Sequence, residues 1–119
     1  MKDYTVEVWV RASRRPLQDT ISEAFVKIVN TLADICTVRS LRESSSSAYE
    51  TKPLGTISSD GVPELLVQNI KRQVEDAVWP LFDSYAAVSV YLFPIDPGIS
   101  LDNRDSDYDR YLEMTGRSF

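Results

Sequence analysis

The chain has 119 residues, 43% of them hydrophobic, with 13 basic and 18 acidic side chains, a net charge of −5, one cysteine and no histidine. A length of this kind makes one domain, able to bury a core without a metal or a disulfide. The missing histidines exclude Ser-His-Asp and Cys-His catalysis and histidine metal ligation, one cysteine excludes an internal disulfide, and the negative charge disfavours general attraction to nucleic acid or anionic membrane.

In chain order, Tyr4 to Arg11 comes first. Tyr4, Val6, Val8 and Val10 alternate with Thr5, Glu7, Trp9 and Arg11, the period-2 pattern of a half-buried strand. The valine face belongs on a core. The other face carries a tryptophan between a glutamate and an arginine, which a purely solvated face would not need. After Ala12-Ser13-Arg14-Arg15-Pro16, the apolar residues Leu17, Ile21, Phe25, Ile28 and Leu32 recur at helical spacing, joined by Ala24 and Val29. They predict a helix from about 16 to 34, started by the proline.

Ile35 to Arg42 reads as a second strand, but Cys36/Val38 and Ile35/Leu41 fall on opposite sides, so its buried face is ambiguous. Glu43 to Ser47 is a polar hairpin tip. Ala48 to Lys52 is expected to return as an edge strand, interrupted by Pro53 and continued by Leu54 to Ile57. The turn Ser58 to Glu64 leads into a second helix, with Val62, Leu65, Leu66, Ile70, Val74, Ala77 and Val78 on its apolar side, ending or bending at Trp79-Pro80. Tyr85 to Phe93 is the last strand, stopped by Pro94 and Pro97-Gly98.

The order is strand, helix, strand, strand, helix, strand. Right-handed crossovers place both helices on one side of the sheet. The expected architecture is therefore an α+β, ferredoxin-like βαββαβ sandwich: a four-stranded antiparallel sheet with two helices on one face. It spans residues 1–94. Residues 95–119 form an acidic C-terminal extension, with six acidic and three basic side chains from residue 96 onward. In that extension Ser106 and Asp109 suit the cap of a short helix, on which Tyr108, Tyr111 and Leu112 would share a face.

This architecture leaves one sheet face open. Trp9 and Arg11 lie on it, joined by Tyr91 and Phe93 from the last strand, and large aromatics of this kind imply a covering. A second copy of the chain is the favoured cover, since Trp, Tyr and Arg are favoured interface anchors. The C-terminal segment folding back is the second. Stacking of single-stranded bases is the third, though the glycine-aromatic signature of RNA-recognition sheets is missing. Arg11, Arg14 and Arg15 precede a helix N-terminus and suit a phosphate or carboxylate, with Arg39 and Arg42 joining them if their strand is adjacent; a solvated arginine loop is the plainer reading. Asp105-x-Asp107-x-Asp109 resembles the start of a calcium loop, but Arg110 stands where glycine is needed and Gly116 where glutamate is. No metal or other cofactor is expected. Cys36 reads as a small core residue, and Trp79 and Phe82 as residues closing the core.

The reading is of a small acidic protein-binding module of inhibitor, immunity, anti-defence or adaptor type, binding another protein and self-associating as a homodimer. Its protein-binding residues would be Trp9, Arg11, Tyr91, Phe93, Tyr108, Tyr111 and Leu112. It leans away from an enzyme, because general bases are few. The alternative is a nucleotide or single-stranded nucleic-acid binding domain using Arg11, Arg14 and Arg15. With no apolar run of signal-peptide type and none near the roughly 20 residues that span a bilayer, the chain is expected to be soluble and cytoplasmic.

Overall fold

In a computed structural model of the chain, residues 1–95 are described. Strand β1 (Lys2–Ala12) is followed by helix α1 (Gln18–Ile35), strands β2 (Thr37–Glu43), β3 (Glu50–Thr51) and β4 (Pro53–Ser59), helix α2 (Pro63–Val78), a 3-10 turn (Trp79–Leu81) and strand β5 (Ala86–Ile95). All pairings are antiparallel. β1 lies between β4 and β5, β2 lies outside β4, and β3 pairs with the far end of β1. The two short pieces β3 and β4 keep one register along β1, with Val10 opposite Thr51 and Glu7 opposite Leu54. They are one line of chain whose ladder lapses around Pro53, which has no N–H to give.

The ferredoxin-like α+β sandwich is thus observed. The valine face of β1 is fully enclosed, Tyr4, Val6, Val8 and Val10 packing with Ala24, Ile28 and Leu32 of α1 and Leu66, Ile70, Val74 and Val78 of α2. Both helices present a stripe at four-residue spacing, which keeps side chains in line along the axis.

Several boundaries differ from the expectation. α1 begins at Gln18 with Leu17 as its extended N-cap residue, so Leu17 is 76% exposed rather than the first member of the stripe. Val62 is likewise the N-cap residue of α2 and is exposed, and Leu65 points outward with it. Only residues 50–51 of the expected edge strand form one. The chain from Pro53 to Ser59 lies between β2 and β1 instead. Pro94 does not stop the last strand, which continues to Ile95 opposite Asp3. Among the described residues β5 pairs with β1 alone, an outer position that tolerates proline.

The ambiguity in β2 has a structural answer. Its register with β4 shifts between Val38 and Ser40, the mark of a β-bulge at Arg39. One extra residue lets Val38 and Leu41, three apart, both pack against the core. Gly55 sits where this bulge brings two backbones together. A Cβ added there would lie 1.9 Å from the Ser40 carbonyl oxygen.

Glu43 anchors the β2–β3 connection. Its carboxylate accepts hydrogen bonds from the Ser45 N–H (2.9 Å), the Lys52 N–H (2.7 Å) and the Thr51 hydroxyl. Burial alone would raise its pKa, but these donors outweigh burial and hold it below the ordinary 4.5. A lowered folded value means that the charged group stabilises the fold above the unfolded pKa. That contribution fades as pH falls through the folded value. The urea midpoint of Glu43→Gln is therefore expected to lie below wild type at neutral pH, with the gap closing as pH drops from about 5 toward about 3. A gap that stays constant over that range would contradict the assignment.

Candidate protein-binding face

The face of the sheet away from the helices is built from residues that alternate with the core. Cross-strand partners share a face, so the register gives its rows directly. At one end Thr37, Ser58, Asp3 and Ile95 lie side by side. Next come Ser40, Thr56, Thr5 and Phe93, then Arg42, Leu54, Glu7 and Tyr91. Beyond these Trp9 stands opposite Ser89, and Arg11 lies between Glu50 and Ala87. All four expected sheet-face residues, Trp9, Arg11, Tyr91 and Phe93, are on this side. Tyr91 is diagonal to Trp9, not directly opposite.

Three zones differ in chemistry. At the Asp3 end, the Arg39 Nε donates to Ser58 Oγ at 3.0 Å, and that hydroxyl donates to Asp3 Oδ1. The middle is apolar around one carboxylate: Leu54, Phe93 and Glu7 are buried, Glu7 with only 2% of its surface exposed, and Tyr91 and Trp9 are half-buried. The buried Lys52 ammonium lies 5.8 Å from the centre of the Trp9 ring, within cation–π range. At the far end, Arg11 Nη1 is 3.4 Å from Glu50 Oε1, and its guanidinium lies 5.9 Å over the Tyr49 ring.

The expected arginine cluster is divided by these contacts. Arg11 is drawn to Glu50 and Tyr49, while Arg14 and Arg15 are exposed in the β1–α1 connection. Arg39 and Arg42 do not join them, because β4 intervenes between β1 and β2. Asp19 in the first turn of α1 already supplies a negative charge to that helix end, where an anion would otherwise be favoured.

Other candidates are bland. Cys36 Sγ donates to the Leu32 carbonyl at 3.2 Å, and burial raises its pKa, so the thiol stays protonated. Phe82 packs on the core, and the Trp79 indole N–H donates to the Ala86 carbonyl at 2.9 Å although the ring is partly exposed. A shallow groove of about 750 Å³ between the end of α1 and the start of α2 includes Cys36, Asp34 and Asp60, and none of the arginines. Among the described residues no three His, Cys, Asp or Glu side chains gather as a metal site, and no helix is long and apolar enough to cross a membrane. Tyr108, Tyr111, Leu112 and the Asp105–Asp109 pattern lie outside the described residues.

Sequence reasoning missed Lys52, Leu54 and the enclosure of Glu7. Glu7 shares the alternation of Trp9 and could have been named with it. Lys52 and Leu54 depend on the register of residues 43–58, which no local pattern supplies.

No family model matches the chain, and a search of curated proteins finds no match. Solved structures are similar in fold. A de novo designed protein, LFR1 1, with a ferredoxin fold matches at a TM-score of 0.52 and 11% identity, over 85% of this chain and 94% of that one. The C-terminal domain of the MgtC protein from Mycobacterium tuberculosis matches at 0.49 and 12%, over 84% and 94%. A domain of unknown function, DUF77, from Bacillus cereus matches at 0.37 and 15%, over 87% and 86%. At 11% identity the likeness to the designed protein shows the fold alone.

Proposed function

We propose that the chain is a small protein-binding module whose working surface is the open sheet face, and that a second copy of the chain binds there, sheet to sheet. The observation that supports this reading is the apolar patch on the side of the sheet opposite both helices, where the half-buried Trp9 and Tyr91 lie beside the buried Leu54 and Phe93. The aromatics are suited to anchoring, and the flanking Arg11, Arg39 and Arg42 to a polar rim. The inhibitor, immunity and adaptor roles are variants of the same act, in which a different protein takes the place of the second copy.

The test is light scattering across a concentration series on the full chain, Trp9→Ala, and Arg14→Ala/Arg15→Ala. Wild type and the double arginine variant are expected to self-associate alike, and Trp9→Ala to stay monomeric with an unchanged melting temperature. Loss of association in the arginine variant, or oligonucleotide binding that falls steeply with salt, would instead favour an anion-binding domain.

A further inference from the structure

The apolar stripe of α1 is longer than the core it serves. Ile21 and Phe25 fall in line with Ile28 and Leu32, yet the cluster around the valine face of β1 draws on Ala24, Ile28, Leu32 and Ile35 from this helix. Ile21, buried, and Phe25, half-buried, line a crevice of about 350 Å³ instead. It lies between the first half of α1 and the β2–β3 connection.

The crevice is anionic. Glu43 and Glu50 both line it, and among the described residues no lysine or arginine does. Glu43 is held charged by the Ser45 N–H, the Lys52 N–H and the Thr51 hydroxyl. Glu50 is only 4% exposed. Its Oε1 lies 3.4 Å from Arg11 Nη1, a long contact for an arginine–carboxylate pair. Its Oε2 is buried and accepts no hydrogen bond among the described residues. A buried carboxylate oxygen without a donor is costly, so a donor supplied from outside is favoured there. The terminal torsion of a glutamate is soft, so Oε2 can turn to meet one. Two carboxylates stand against one guanidinium, and a single further positive charge balances them.

We propose that this crevice binds a primary ammonium group on a short, unbranched apolar stem. The ammonium donates to Glu50 Oε2 and to the hydroxyls of Ser22 and Ser47, which line the same crevice, and the stem lies against Ile21 and Phe25. Three donors and no acceptor suit a wall of acceptors. A divalent metal fits less well. Among the described residues no three His, Cys, Asp or Glu side chains gather, and calcium takes about six or more oxygen ligands. The group in question occurs on small free amines and on lysine side chains. The site is independent of association through the sheet face.

The experiment follows backbone amide shifts of the ¹⁵N-labelled full chain as n-butylamine hydrochloride is added at neutral pH and fixed ionic strength. Saturating changes are expected at Ser22, Phe25, Ser47 and Glu50, with a dissociation constant on the order of millimolar for so small a ligand. No such changes are expected with n-butanol or tetramethylammonium chloride, which keep the stem or the charge but lack a charged donor. Equal changes with either control, or changes that never saturate, would overturn the site. Glu50→Gln, shown to be folded by its melting temperature, is expected to bind n-butylamine about tenfold more weakly; unaltered binding would overturn the role of the carboxylate and with it the site. The two control ligands use the native chain, so they decide the matter even if that variant fails to fold. Nα-acetyl-lysine methylamide separates the two sources of the group. Binding as tight as n-butylamine supports the site and assigns it to a lysine side chain of a partner protein. Clearly weaker binding supports it as a site for a free amine.

Discussion

Gly55→Ala is expected to be the most damaging single methyl group in this protein. The added Cβ would stand 1.9 Å from the Ser40 carbonyl oxygen, 2.6 Å from the Ser40 carbonyl carbon and 2.9 Å from Leu41 Cα. All three are backbone atoms of β2, so no side chain can rotate to make room. The strand has to move, and with it Val38 and Leu41, which pack on the core from that side. Overpacking of this kind costs about 1–3 kcal/mol or more, and for a domain this size a loss near the top of that range lowers the melting temperature on the order of 15 °C. Gly61→Ala is the matched control. Its Cβ would meet nothing closer than 3.4 Å, at Ser59 Oγ, and the expected change is under about 0.5 kcal/mol. Equal melting temperatures for the two variants would show that β2 does not approach β4 as described.

The second large effect is on association. Removing the Trp9 side chain takes away the proposed anchor on the helix-free face and the ring against which Lys52 is set. Truncating a central anchor typically costs about 2 kcal/mol or more, which is roughly thirtyfold in dissociation constant. The fold should tolerate the change, since Trp9 is half-buried on the side away from the helices and contributes nothing to the enclosed valine cluster. Thermal unfolding and light scattering on the same samples separate the two effects. A Trp9→Ala variant that unfolds would assign the indole to the core instead.

Most of this architecture was legible in the chain because burial leaves a period. The alternation from Tyr4 to Arg11 determined which side of β1 meets the helices, and the Ile28–Leu32 and Ile70–Val74–Val78 spacings determined which side of each helix faces back. What was not legible depends on contacts between distant segments. Val38 and Leu41 fit neither face of a regular strand until the bulge at Arg39 is known, and a bulge is set by the partner strand. The glycine that admits it, Gly55, is visible in the sequence but has no meaning without Ser40 beside it. Leu17 and Val62 extend the helical periods correctly, yet each is an extended residue one position before its helix begins, where periodicity has no way to stop itself. In the candidate site the aromatics were readable from alternation alone. The Arg11–Glu50 pair and the placement of Lys52 over Trp9 required the register of the β3–β4 line. The same register removed Arg39 and Arg42 from the company of Arg14 and Arg15.

The central claim is that the helix-free side of the sheet is where another protein is met. It is tested most directly by following backbone amide shifts of the ¹⁵N-labelled full chain as unlabelled chain is added. The account predicts that the largest changes fall on Thr5, Glu7, Trp9, Tyr91 and Phe93, while the outward residues of the helices, such as Val26, Lys27, Gln68 and Arg72, stay where they are. Shifts concentrated on those helical residues, or a spectrum indifferent to added chain up to millimolar concentration, would contradict it.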